Sequence, residues 1–152
     1  MYFTFNENNS EYYGELLYIK DEESLYYNPW NTNVGVLVMC GNYTSLDTIC
    51  ETEMAVQISG LNSKYVWIPK KLEMPKAKKG GLIAHLDDPP IRGTGVDYNR
   101  SWLTYFDEDS NCICIGDPII EADDDCLEFA NKIIAVLREA QLISILAQIK
   151  EV

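Results

Sequence analysis

The pattern of hydrophobic and polar positions along the first half of the chain reads as a series of strands. Phe3 and Phe5 alternate with polar neighbours, and Glu15 to Lys20 (ELLYIK) is a β-prone run broken by Asp21-Glu22-Glu23. Val34 to Cys40 (VGVLVMC) is apolar at successive positions, which predicts a central strand covered on both faces. Gly41-Asn42 marks a turn, since both residue types tolerate positive φ. Residues 44 to 59 are ambiguous, with a helical turn near Glu51 to Val56 competing with a strand over Ala55 to Ser59. Tyr65 to Ile68 and Leu82 to Leu86 are two further strand candidates, the first ended by Pro69. Residues 74 to 101 are rich in Pro and Gly and read as loop, a common place for binding residues.

The second half carries the clearest local signal. Trp102 to Phe106 (WLTYF) and Cys112 to Ile115 (CICI) flank a polar five-residue connection, Asp107 to Asn111, which predicts a β-hairpin with an acidic tip. Asp123-Asp124-Asp125 precedes Cys126 to Ala130, and acidic residues there suit the first turn of a helix starting near Asp123. Beyond Asn131 two continuations compete. A helix to Ile149 leaves its last turns apolar all round. The preferred alternative pairs Ile133 to Leu137 with Leu142 to Ile149 across Arg138-Glu139-Ala140-Gln141. Enrichment in Ile and Val favours the strands, although Arg-Glu-Ala-Gln by itself favours helix. If exposed, that hairpin offers an edge for a partner strand. The expected fold class is α+β: a mostly antiparallel sheet with one or two helices packed on it, in a single domain over residues 1–152.

Composition changes the picture chiefly through charge. There are 24 Asp and Glu against 12 Lys and Arg, a net charge of -12. Such a field repels phosphates and anionic membrane surfaces and steers basic partners. A basic island over Lys64 to Lys79 contains six Lys and one Glu, and reads as a solvated strand end and loop, able to pair with the chain's own acids, rather than as a nucleic-acid contact. No run of about 18 apolar residues marks a membrane span, and the first residues do not read as a signal peptide. The five Cys are unevenly spaced and read as small buried hydrophobes of a reducing compartment, so the expected location is cytoplasmic.

No chemical motif survives inspection. His85 is the single histidine, so any Ser or Cys nucleophile would depend on it, and its neighbours Ala84 and Leu86 place it in a strand. Cys112 and Cys114 share one strand face but lack the paired Cys-x-x-Cys units of a structural zinc site. Asp107, Asp109 and Asn111 open like an EF-hand loop, which then fails at Cys112 and Pro118. Gly93-Thr94-Gly95 lacks the third glycine of a dinucleotide fingerprint, Tyr98 standing there instead. No cofactor, metal or catalytic residue is assigned. What remains is acidic residues beside aromatic ones, an arrangement suited to a basic partner. The candidate partner-binding residues are Asp87, Asp88, Tyr98, Trp102, Tyr105, Asp107, Glu108, Asp109, Glu121, Asp123, Asp124 and Asp125.

The stretch WLTYFDEDSNCICIGDPIIEADDDCLEFANKIIAVL resembles the C-terminal part of immunity proteins from bacterial polymorphic toxin systems, contact-dependent growth inhibition among them, and by pattern the likeness covers roughly the last third of the chain. Size and acidity extend the likeness to the whole chain. The resemblance implies a cytosolic inhibitor that binds one cognate toxin domain, often a basic nuclease. It carries no individual residue across, and the acidic clusters are read from charge alone. Two other classes stand beside it: a small hydrolase using carboxylates or a Cys-His pair, and an acidic adaptor or nucleic-acid mimic.

Overall fold

A computed structural model describes residues 1–7 and 13–152. Its fifteen strands are β1 (Tyr2–Asn6), β2 (Glu15–Ile19), β3 (Ser24–Asn28), β4 (Val34–Cys40), β5 (Thr44–Ile49), β6 (Met54–Leu61), β7 (Ile68–Pro69), β8 (Lys78–Lys79), β9 (Gly81–His85), β10 (Thr94–Asn99), β11 (Thr104–Asp107), β12 (Cys112–Gly116), β13 (Asp125–Ala130), β14 (Ile133–Arg138) and β15 (Gln141–Glu151). The only helical elements among the described residues are single 3-10 turns at Lys20–Glu22 and Lys64–Val66. The expected α+β class is therefore wrong: the protein is nearly all β, in one large mixed sheet, and among the described residues no helix packs on it.

The helix expected from Asp123 is a strand. Leu127 and Phe129 of β13 are buried while Cys126 and Glu128 are half-exposed, a period of two. β13 pairs antiparallel with β14, and β14 with β15, so the closing segment is the hairpin and not a helix. That hairpin is no free edge, because β15 also pairs with β12 on its other side. The last residues of β15, Ile149 to Glu151, then run parallel to β2. This strand thus joins the β11–β12–β15–β14–β13 part of the sheet to the part built from β2–β6, β9, β1 and β10.

The inward faces of both parts share one core, with Phe3, Tyr18, Leu46, Ile58, Leu82, Ile113, Ile133 and Ile145 among its members. A smaller cluster lies on the opposite face of β12, β14 and β15. There Cys112, Cys114, Val136 and Leu146 are covered by Leu72, with Met74, Ile120 and Tyr105 at its margin. The CICI run is buried on both faces for this reason: its isoleucines enter the main core and its cysteines the smaller one.

Two other strand expectations change. β4 is covered on one face only, since Val36, Val38 and Cys40 are buried while Leu37 is exposed and Met39 half-exposed. Tyr65 is not in a strand but in the Lys64–Val66 turn, and the strand is reduced to Ile68–Pro69.

Candidate partner-binding surface

The structure splits the sequence-predicted residues between two ends of β15. At one end lies the β14–β15 turn, residues 138 to 141. Asp125 opposes Leu137 there, and Asp117 N–H donates to Ile143 O (3.0 Å). Asp87 joins them through the Met1 amino group, which it pairs, while Gln141 Nε2 donates to Met1 O (3.2 Å). Asp88, Glu121, Asp123, Asp125 and Glu139 are all exposed. At the other end Asn111 O accepts the N–H of Ile149 (2.9 Å), which places the Asp107–Asn111 tip there. At about 3.3 Å per strand residue the two acidic groups lie roughly 20 Å apart. The carboxylates therefore form no continuous row.

Several of these residues are committed to the fold. The Asp107 carboxylate accepts the N–H groups of Leu72 (2.9 Å) and Asp109 (3.0 Å), and the Leu72 bond leads in holding its pKa below the usual carboxylate value. It ties the 70–77 stretch to the hairpin and is not a free docking charge. Asp124 receives Nε and Nη2 of Arg138, both at 2.8 Å, and the N–H of Glu121 (2.7 Å). Arg138 holds its carboxyl below the ordinary range. Glu121 adds a looser contact to Arg138 at 3.4 Å. Tyr105 packs at the margin of the smaller core, away from the acidic residues near β15's turn. Glu108 and Asp109 are exposed, but they share a cavity with Lys64, Lys70 and Lys71 of the basic island.

Tyr98 and Trp102 do come together. Their rings meet edge to face at 5.7 Å, and Tyr98 makes a second such contact with Phe3 at 5.3 Å. Tyr98 Oη donates to Leu142 O (2.8 Å), at the same end of β15 as Asp87 and Asp123 to Asp125. Gly116, at φ +106°, allows the Trp102 ring to lie against the backbone, since a Cβ there would stand 3.1 Å from the ring and closer still to Ile143 O.

On its other side Trp102 lines a groove of about 560 Å³. Four large apolar side chains face this groove while largely open to solvent: Tyr43 (61% exposed), Leu61 (54%), Val66 (72%) and Leu103 (56%). They arrive from four separate segments: the β4–β5 turn, the end of β6, the Lys64–Val66 turn and the approach to β11. Gly60, at φ +110°, lets the Tyr43 carbonyl approach β6 where any Cβ would collide with it. Asn62 holds the groove's polar wall. Its Nδ2 donates to Thr44 Oγ1 (3.1 Å) and Thr104 Oγ1 (2.9 Å), and its Oδ1 accepts Trp67 Nε1 (2.6 Å). Glu23 and Arg100 are the charged residues of the lining. Sequence reasoning missed Tyr43, Leu61, Val66 and Leu103. The one available signal was an apolar residue at a turn or strand end.

Other chemistry is not assembled. His85 stacks on Tyr2 (4.3 Å between ring centres) and its Nε2 lies 2.6 Å from Thr4 Oγ1. Cys114 is buried in the smaller core, where burial pushes its thiol up to about 12. Cys40 lies in the main core, so it cannot share a metal with Cys112 and Cys114 across the sheet. Among the described residues no group of three or more His, Cys, Asp or Glu is placed to hold a metal ion. Among them, too, no helix is long and apolar enough to cross a membrane. No protein-family model matches the chain, and no curated protein sequence matches it.

Proposed function

We propose that this protein works in the cytoplasm by binding one basic protein domain and blocking it, as the immunity proteins that its last third resembles neutralise a cognate toxin domain. The observation that carries the reading is the groove. Burying a large aliphatic or aromatic side chain is worth about 1.5–3 kcal/mol, and four such side chains left open in one concavity form the kind of cluster that binding hot spots use. The net charge of -12 supports a basic partner, and the Trp102–Tyr98 contact connects the groove to the acidic end around Asp87 and Asp123 to Asp125. All five cysteines are free, which suits a reducing compartment.

The test compares the tagged protein with its Leu61→Asp/Leu103→Asp variant as bait in an extract of the native host. Both positions are exposed, so the variant is expected to fold, which circular dichroism checks. The expected outcome is a single stoichiometric basic partner on the parent protein, bound at least about 30-fold more weakly by the variant. Absence of a stoichiometric partner, or equal capture by the folded variant, overturns the reading.

A further inference from the structure

A strand at the end of a sheet exposes a row of backbone donors and acceptors, and proteins guard such edges by shortening, lysine, proline or a cover. Three of the terminal strands here are guarded. β7 is two residues long and ends in Pro69. β8 is Lys78–Lys79. β1 pairs with β9 alone, and on its other side the Phe3 N–H donates to Ala140 O (2.8 Å) in the β14–β15 turn. β10 is six residues long, and its only such devices along Thr94–Asn99 are one charged residue, Asp97, and an irregularity near its end, between Asp97 and Asn99. It runs parallel to β4, and among the described residues no strand pairs with its other side. Its exposed positions, Gly95, Asp97 and Asn99, present little bulk.

We propose that β10 is a docking edge, onto which an extended segment of the basic partner adds as a further strand. This rests on the partner-binding reading above and names how part of that partner is held. Two observations select the occupant. Charge disfavours a second copy, which would bring -12 against -12, and favours a segment carrying Lys or Arg; Asp97, exposed on the edge though paired with Arg100, is the strand's own carboxylate. The edge is also continuous with the groove, because the chain leaves β10 through Arg100 and Ser101 and enters the wall formed by Trp102 and Leu103. Arg100 fixes that exit, with Nε on Asp97 (2.6 Å) and Nη1 on Asn42 O (2.9 Å). A segment paired along β10 therefore ends beside the Arg100 to Leu103 wall of the groove. Backbone bonds supply the pairing, and the groove supplies side-chain selection.

Amide hydrogen exchange on the full chain tests this with defined probes. The first is a short peptide of alternating threonine and valine flanked by lysines. The second is the same peptide N-methylated along its length, and the third carries glutamates in place of the lysines. The expected result is that the lysine-flanked peptide slows exchange of β10 amides about tenfold while β5 is unaffected. The N-methylated peptide leaves β10 unchanged, and the glutamate-flanked one protects it less. Asp97→Lys weakens the protection by the lysine-flanked peptide. No slowing, or equal slowing by the N-methylated peptide, overturns the proposal. So does concentration-dependent dimerisation of the protein alone with protection of β10, since the occupant is then a second copy. Leu61→Asp/Leu103→Asp is expected to keep the peptide effect on β10, so failure of the edge and failure of the groove are read separately.

Discussion

Asp47 is fully buried on β5, beside Leu46 of the main core but on the opposite face of the strand. Its carboxylate accepts the hydroxyls of Ser45 (2.5 Å) and Ser59 (2.7 Å) and Nε2 of Gln57 (2.9 Å). Gln57 Oε1 in turn accepts the N–H of Asn31, so the network anchors the segment before β4. No cation joins it among these contacts. Burial outweighs the three donors and raises the pKa above 3.8, whereas Asp107 and Asp124 are lowered by backbone N–H groups and Arg138 respectively. The sign for Asp47 follows from linkage. A carboxyl whose folded pKa is raised contributes stability that is fully present below the unfolded value near 3.8 and is lost as pH rises through the folded value. Urea unfolding of the parent and Asp47→Asn at pH 4 and pH 7 measures it. The parent is expected to lose stability relative to the variant between the two pH values; an unchanged difference would mean that the three donors compensate the buried charge in full. Aspartate thus behaves in opposite ways at these three sites. The sequence shows none of it, because burial, Leu72 and Arg138 are each brought to the carboxylate by remote parts of the chain.

At the scale of elements, the β14–β15 turn shows where local signals mislead. Glu139 and Ala140 both adopt positive φ, 51° and 64°, which matches a two-residue turn of the primed type between Arg138 and Gln141. Left-handed backbone costs an L-residue about 1–2 kcal/mol, and neither Glu nor Ala is suited to it. Glu139→Asn/Ala140→Gly is therefore expected to stabilise the protein by about 1–2 kcal/mol, read from the urea midpoint at constant slope. No gain would mean that the turn's side chains contribute contacts of their own. The same turn explains what could be read in advance. The β11–β12 hairpin was legible because its apolar runs and polar turn lie within a dozen residues. The β14–β15 hairpin was legible from Ile and Val content despite a helix-forming turn sequence. β13 was not, because acidic residues before an apolar segment suit a helix start equally well, and only pairing with β14 decides otherwise. The groove was illegible for a further reason. Tyr43, Leu61, Val66 and Leu103 belong to four segments, and only the folded sheet makes them neighbours.

At the scale of the whole molecule, charge is placed unevenly, and this gives a test of how a partner approaches. Asp123 and Asp125 are exposed at the end of β15 that Tyr98 and Trp102 link to the groove. Glu108 and Asp109 are exposed at the other end, beside Lys64, Lys70 and Lys71. Asp123→Lys/Asp125→Lys and Glu108→Lys/Asp109→Lys change net charge equally, so they separate local steering from the total field. A Debye length near 10 Å at 0.1 M salt is shorter than the roughly 20 Å between the ends, which makes the distinction measurable. With the partner captured in the pull-down, the first pair is expected to slow association by about tenfold at about 0.1 M salt and the second much less. Both differences should vanish at high salt, with dissociation unchanged. Equal slowing by the two pairs would mean that only the total field of -12 steers the encounter. Greater slowing by the second pair would move the approach to the hairpin tip, leaving the groove to act after an encounter formed elsewhere. The lysines beside Glu108 and Asp109 already neutralise part of that tip, which is the physical reason to expect the first result.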